Sequence, residues 1–272
     1  MTKVQYRKLG KTGLSVSEIG YGGGRIKKDQ GRKELIDLIH KALDQGINYI
    51  DTAPTYGDGF SETTIGEAIK GRSCIVATKT KAYNANNVTA SVESSLKRLK
   101  VETIDVLQFH GGWFDSKETE EIFNRGGLET YLKLKESGKV RYLGFSADGP
   151  SSGVDRLITS GEFDMMQIHY NLMYQSTCDL FSNRGVIPDA HKHEMGIVLM
   201  RSTTSHAFTK LMRQCFPEQT KTLELNTFLL NYVLSNPLVD VALMSLQSIE
   251  DVEWTNTVSD RISDRLDLKA FH

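Results

Sequence analysis

The chain has 272 residues, with 33 Lys and Arg against 34 Asp and Glu, and a formal net charge of −1 at pH 7. Near-neutrality argues against nucleic acid or an anionic membrane as the main partner, since both reward a basic face. A composition of 39% hydrophobic and 25% charged residues excludes a disordered or fibrous chain, and length alone allows one large domain or two small ones.

In chain order, residues 4–6 and 14–16 flank LGKTG and read as a small β-hairpin. Residues 17–22 form a first core strand. In 31–46, Leu35, Leu38, Ile39, Ala42 and Leu43 share one helical face, and Gly46 stops the helix. Strand 47–53 follows. Ser61 can cap a short helix carrying Ile65, Ala68 and Ile69 that ends at Gly71. Strand 73–80 precedes a helix over 90–100 with Val92, Leu96 and Leu99 at helical spacing. Strand 104–112 leads to a helix over 127–139, stopped at Gly138. Strand 140–147, a short helix over 151–161, and strands 163–171 and 196–202 come next. A helix over 221–236, strand 239–246 and a helix over 248–259 complete the pattern.

The eight core runs are nearly continuous in Val, Ile and Leu, as buried parallel strands should be. Their ends, from Gly22 to Ser245, recur about every 32 residues, close to the ~30 that a strand, a crossover helix and two loops need. A single (β/α)8 TIM barrel over 1–272, with an N-terminal β-hairpin, is the economical reading. A doubly wound sheet is the alternative, because strand order is not written in a sequence. No apolar run nears the ~18 residues that span a bilayer, and the N-terminus has no apolar signal-peptide region. Cys74, Cys178 and Cys215 share no metal or redox spacing, so free thiols and a reducing, cytoplasmic compartment are expected.

Barrel sites sit at the C-terminal strand ends. Those ends are Gly22, Asp51, Lys79, His110, Ser146, Gln167, Arg201 and Ser245. Taken singly, a strand-end Asp is a helix cap, a Lys is solvated and a His is structural. Asp51, Lys79 and His110 at three successive ends, with Tyr56 five residues after Asp51, form an acid–base set. An ammonium beside a phenol lowers the phenol's pKa from ~10. A carboxylate keeps that Lys charged, and a neutral His can donate to a carbonyl oxygen. Together they could protonate an alkoxide as it forms.

The pieces YRKLGKTGLSVSEIGYGGG, GINYIDTAPTYG, IVATKT, IDVLQFHG, GKVRYLGFSA, GEFDMMQIHYNL and GIVLMRS, in this order along nearly the whole chain, resemble the aldo-keto reductase family. The resemblance implies that Asp51, Tyr56, Lys79 and His110 are the catalytic tetrad. It implies a nicotinamide cofactor, NADPH first and NADH as the alternative, passing hydride to an aldehyde, ketone or sugar-like carbonyl with Tyr56 as general acid. Expected cofactor contacts are Gly22, Gly23, Asp51, Ser146, Gln167, Met200, Arg201, Ser202, Ser245, Gln247 and Asn256. The sequence departs from the family's pattern at Ala147, where an Asn is common, and at Met200, in place of a stacking aromatic. It also has no Arg between Ser245 and Asn256. Tyr21, Tyr56, Tyr83, His110 and Trp113 are expected around the substrate, with Phe114 sharing the apolar wall.

GYGGG at 20–24 lacks dinucleotide-fingerprint spacing, and His191, His193 and Glu194 read as a helix turn, so no metal is expected. The partner is a small carbonyl or alcohol, and the oligomeric state stays open. Two alternative functions remain at this point. One is a non-catalytic dinucleotide-binding or regulatory barrel. The other is an NAD-dependent alcohol or sugar dehydrogenase running oxidatively.

Overall fold

Each apolar run forms a strand, and the eight core strands close on themselves. The structure is a computed structural model and describes residues 3–271. Strands β1 (Tyr6–Lys8) and β2 (Ser15–Ser17) pair antiparallel, Tyr6 opposite Ser17. The hairpin lies one or two residues later than the pattern suggests. A 3-10 turn over Gly10–Thr12 and Gly13 at φ +73° makes the reversal. Leu9, wholly buried, packs with Val16 into the bottom of the barrel interior. The hairpin is therefore a plug, and its register follows from placing Leu9.

The barrel strands are β3 (Ile19–Gly22), β4 (Tyr49–Asp51), β5 (Ile75–Thr80), β6 (Ile104–His110), β7 (Val140–Ala147), β8 (Met165–His169), β9 (Gly196–Met200) and β10 (Val241–Met244). They pair in parallel, each with its neighbour in sequence, and β10 closes the ring on β3, Leu243 opposite Gly20. That closing pair excludes the doubly wound sheet.

The two-residue alternation of a strand then fixes which side chains face the interior. Tyr49, Ala77, Val106, Met165, Val198 and Leu243 fill an inner layer. Two residues further along, the same parity carries Asp51, Lys79, Gln108, Gln167, Met200 and Ser245 to the C-terminal mouth. The opposite parity, including Ile50, Val76, Leu107, Phe145, Met166 and Leu199, joins the apolar layer under the helices.

Those helices are α1 (Arg32–Asp44), α2 (Phe60–Ala68), α3 (Ala85–Leu99), α4 (Ser116–Asn124), α5 (Gly127–Glu136), α6 (Ser152–Thr159), α7 (Val186–Lys192), α8 (Ala207–Cys215), α9 (Pro217–Thr220), α10 (Leu225–Leu234) and α11 (Ile249–Asp260). Helices α4, α8 and α9 are absent from the sequence reading, and of α7 it has only a helix turn at 191–194. Only Thr119 and Ile122 are buried in the largely polar α4. Helix α8 does carry Phe208, Leu211, Met212 and Cys215 at helical spacing, but only Thr209 is buried, so that stripe lies at the surface rather than on the core. Helix α4 is instead set by a capping box between Asp115 and Glu118.

At the opposite end of the barrel, Glu18 ties β1, the end of α11 and the segment after it to the core. Its buried carboxylate accepts from Arg7 Nε at 2.9 Å and Ser259 Oγ at 2.7 Å, and pairs with Arg265. Arg7 also donates to the carbonyls of Leu234 and Val239.

Candidate active site

The mouth holds one buried ion pair. Lys79 Nζ, with no exposed surface, donates to Asp51 Oδ1 and Oδ2 at 2.6 Å each and to the Thr52 carbonyl at 2.9 Å. Gln108 Nε2 donates to Asp51 Oδ1 at 3.2 Å. Neighbouring strands bring these groups together, because Asp51 lies opposite Ala77 and Lys79 opposite Gln108. Burial alone would lower the lysine's pKa. The Asp51 carboxylate and the adjacent Tyr56 outweigh that cost and hold the ammonium above its ordinary pKa.

Tyr56 is positioned by the turn between β4 and α2. Its N–H donates to the Ala53 carbonyl at 3.0 Å, and its own carbonyl accepts from Ser61 N at 3.2 Å. The turn runs through Gly57 at φ +59° and Gly59 at φ +83°, where an L side chain is strained. A Cβ on Gly59 would also lie 2.7 Å from Arg98 Cδ. The Tyr56 ring centroid sits 5.0 Å from Lys79 Nζ, and the ring meets His110 edge-on, centroids 5.9 Å apart.

The expected depression of the phenol's pKa is corrected here. Burial raises it and prevails over the downward pull of Lys79, with Asp51 adding to the rise. His110 moves the other way. Burial, with Lys79 and Lys81 nearby, pushes its pKa down to about 3, so the imidazole is neutral at physiological pH. Its Nδ1 is buried without a partner among the described residues, while its backbone carbonyl accepts from Tyr83 Oη at 2.6 Å.

Above this cluster opens a cavity of about 630 Å³. Asp51, Tyr56, His110 and Tyr83 line it, together with Gly22, Ser146, Gln167, Met200, Arg201 and Ser245. Gln167 Oε1 is buried with no hydrogen-bond partner among the described residues. A second groove of about 370 Å³ adjoins it, sharing Arg201 and Ser245, and runs along Ser202 and Gln247 towards the start of α11.

Five expected residues stand elsewhere. Tyr21 is paired opposite Ile50 and shares its outward parity, so its ring packs under the helices. A Cβ on Gly23 would meet Ser61 Oγ at 2.7 Å, which places that glycine against α2 rather than in the cavity. Asn256 is wholly buried in α11, its amide donating to the Gln45 carbonyl at 3.0 Å. Trp113 lies outside the cavity and is half exposed beside Gly149. Phe114, at φ +49°, turns into the core against Tyr83 and Phe145.

The sequence reading missed Lys81, Glu118 and Asp148 in the cavity and Arg25 and His206 in the groove. Lys81 and Asp148 lie two residues beyond Lys79 and Ser146, a parity signal that was available. Arg25 follows the glycine run directly. No local pattern marks His206. Among the described residues, no group of three His, Cys, Asp or Glu side chains is placed to hold a metal ion.

Fold and site define a (β/α)8-barrel enzyme with an acid–base cluster at its C-terminal mouth. The sequence model of the Aldo/keto reductase family matches residues 18–252, and the chain belongs to that family and is an oxidoreductase. It is 27% identical to L-galactose dehydrogenase of Arabidopsis thaliana over 93% of this chain and 87% of that protein. The holo form of an aldo-keto reductase from Bacillus halodurans superposes with a TM-score of 0.77 at 24% identity, covering 98% of this chain and 93% of the other. An aldo-keto reductase from Klebsiella pneumoniae in complex with NADPH gives 0.79 at 21% identity, covering 100% and 93%.

Proposed function

We propose that this barrel, acting as one unit over 1–272, reduces the carbonyl of a small polar aldehyde or ketone to an alcohol, with NADPH as the reductant. The observation that carries the reading is the buried Lys79–Asp51 pair at 2.6 Å, with Tyr56 beside it and a neutral His110 facing the same cavity. A phenol that keeps its proton suits a general acid. Lys79 steadies the phenolate left after the transfer, and neutral His110 orients a carbonyl oxygen without donating a full charge.

The residues also fit the cofactor. The orphaned Gln167 Oε1 can accept from a carboxamide N–H, and buried Ser146 lines the same wall. Arg201, with Arg25 in the adjoining groove, can hold phosphates. When bound, the nicotinamide supplies the hydride.

Polar and charged lining favours a hydroxylated, sugar-like substrate, and the relative named L-galactose dehydrogenase agrees with this. The free thiols of Cys74, Cys178 and Cys215 suit a reducing, cytoplasmic location. No helix among the described residues is long and apolar enough to cross a membrane.

One observation favours NADH as the reductant instead. Asp251 Oδ2 already accepts from Gln247 N at 2.8 Å and Ser248 N at 3.2 Å. An added phosphate at that end of the groove therefore meets a carboxylate rather than free amides. Parallel fluorescence titrations with NADPH and NADH decide between the two.

The test of the chemistry is Tyr56→Phe. It should lower kcat for aldehyde reduction by at least about 100-fold while leaving dinucleotide binding in place. A variant that keeps its rate overturns the assignment of Tyr56.

A further inference from the structure

We propose that Lys81 is a specificity-determining residue that recognises a negatively charged group, carboxylate or phosphate, carried by the substrate beyond its carbonyl. The inference rests on the carbonyl chemistry proposed above and names the kind of molecule that brings the carbonyl.

Lys79 faces inward, while Thr80 faces outward, its Oγ donating to Ser91 Oγ of α3 at 2.7 Å. The next inward position is Lys81, one step nearer the solvent, and its side chain lines the catalytic cavity with Tyr56, Tyr83 and His110. Unlike Lys79 beneath the cavity and Arg201, the other cation of its lining, it has no carboxylate among the described residues within ion-pair distance. Lys79 is bound to Asp51, and Arg201 faces Asp148 at 3.7 Å. The remaining acid of the cavity, Glu118, accepts from the Asp115 N–H at 3.0 Å in the capping box of α4. Asp51 with Lys79 is neutral as a pair, His110 is neutral, and Asp148 is matched by Arg201. Glu118 keeps the lining's remaining negative charge in its capping box, and among the described residues Lys81 is the lining's one cation outside an ion pair, above the floor where the carbonyl would sit.

An ammonium so placed attracts an anion at the open end of the substrate without perturbing the reacting atoms. Its contribution is the same in the ground state and the transition state, so it acts on KM and not on kcat. Lysine also suits a single point contact to either anion, where a planar guanidinium would favour a bidentate one.

The test compares matched substrates in the full-length protein with saturating reductant at low salt. One pair is succinic semialdehyde against butanal, and the other is glycolaldehyde phosphate against glycolaldehyde. The wild-type chain should prefer at least one anionic member by about five- to tenfold in kcat/KM, through KM, with the preference shrinking as salt rises. The pair that shows the preference tells carboxylate from phosphate. Lys81→Met should erase the preference and Lys81→Arg should restore most of it. If wild type reduces the neutral aldehydes but prefers neither anion, or if Lys81→Met keeps the preference, the inference falls and the proposed function stands. If wild type reduces none of the four, both fall.

Discussion

Tyr56 and His110 face one cavity, and burial moves them in opposite directions, because it penalises the phenolate of one and the imidazolium of the other. The phenol is raised above its ordinary value of about 10, and the imidazole is lowered to about 3. Neither group changes protonation near neutrality. For reduction, the acid must be protonated, so activity is present below the phenol's raised pKa and lost as pH rises through it. The limb that His110 would give lies below pH 5. We therefore expect kcat for carbonyl reduction to be flat from about pH 5 to 9 and to fall only in the alkaline range. A pH–rate profile with an inflection near 6.5 would show His110 titrating in the complex and would overturn its role as a neutral donor.

At the scale of elements, the network at the closed end of the barrel joins β1, the start of β3, the end of α11 and the segment after it. Glu18 is the anion to which Arg7 and Arg265 are both bound. Glu18→Ala leaves two half-buried guanidinium groups facing each other and should cost about 3–5 kcal/mol of unfolding free energy. A urea denaturation midpoint equal to wild type would show that the network adds no net stability.

The same elements show what a sequence makes legible. The barrel strands could be read because burial on both faces leaves unbroken Val, Ile and Leu runs. Asp51, Lys79 and His110 could be read because each interrupts such a run at its end. Tyr21 was misplaced because pairing decides its side. Only the register of Gly22 opposite Asp51 shows that Tyr21 shares the outward face of Ile50. Asn256 was misplaced because a helix's buried face depends on the neighbour it meets, here Gln45. Helix α4 escaped because it is largely polar, and the cavity's Glu118 went unseen with it, whereas α8 has Phe208, Leu211 and Met212 at helical spacing and was legible in the sequence. Arg25 and His206 reach the groove through tertiary placement alone.

For the whole molecule, a net charge of −1 gives little long-range attraction for a dinucleotide. Binding has to come from local groups, and Arg25, Arg201 and His206 stand in the groove against Glu224 and Asp251. A ligand that binds only the folded barrel stabilises it by about 2.7 kcal/mol at one hundred times its Kd. For a chain of this size, each kcal/mol is worth about 2 °C in Tm, so NADPH at that level should raise Tm by about 5 °C. Arg25→Ala removes one of the groove's cations without touching the barrel interior. It should shrink that rise at the same NADPH concentration while leaving the Tm of the free protein within about 1 °C of wild type. Comparing NADH in the same melts locates the contact. A loss confined to NADPH assigns Arg25 to the additional phosphate, and an equal loss for both assigns it to the pyrophosphate. A melt that neither dinucleotide shifts in the wild-type chain would remove the cofactor, and with it the reductase, from this barrel.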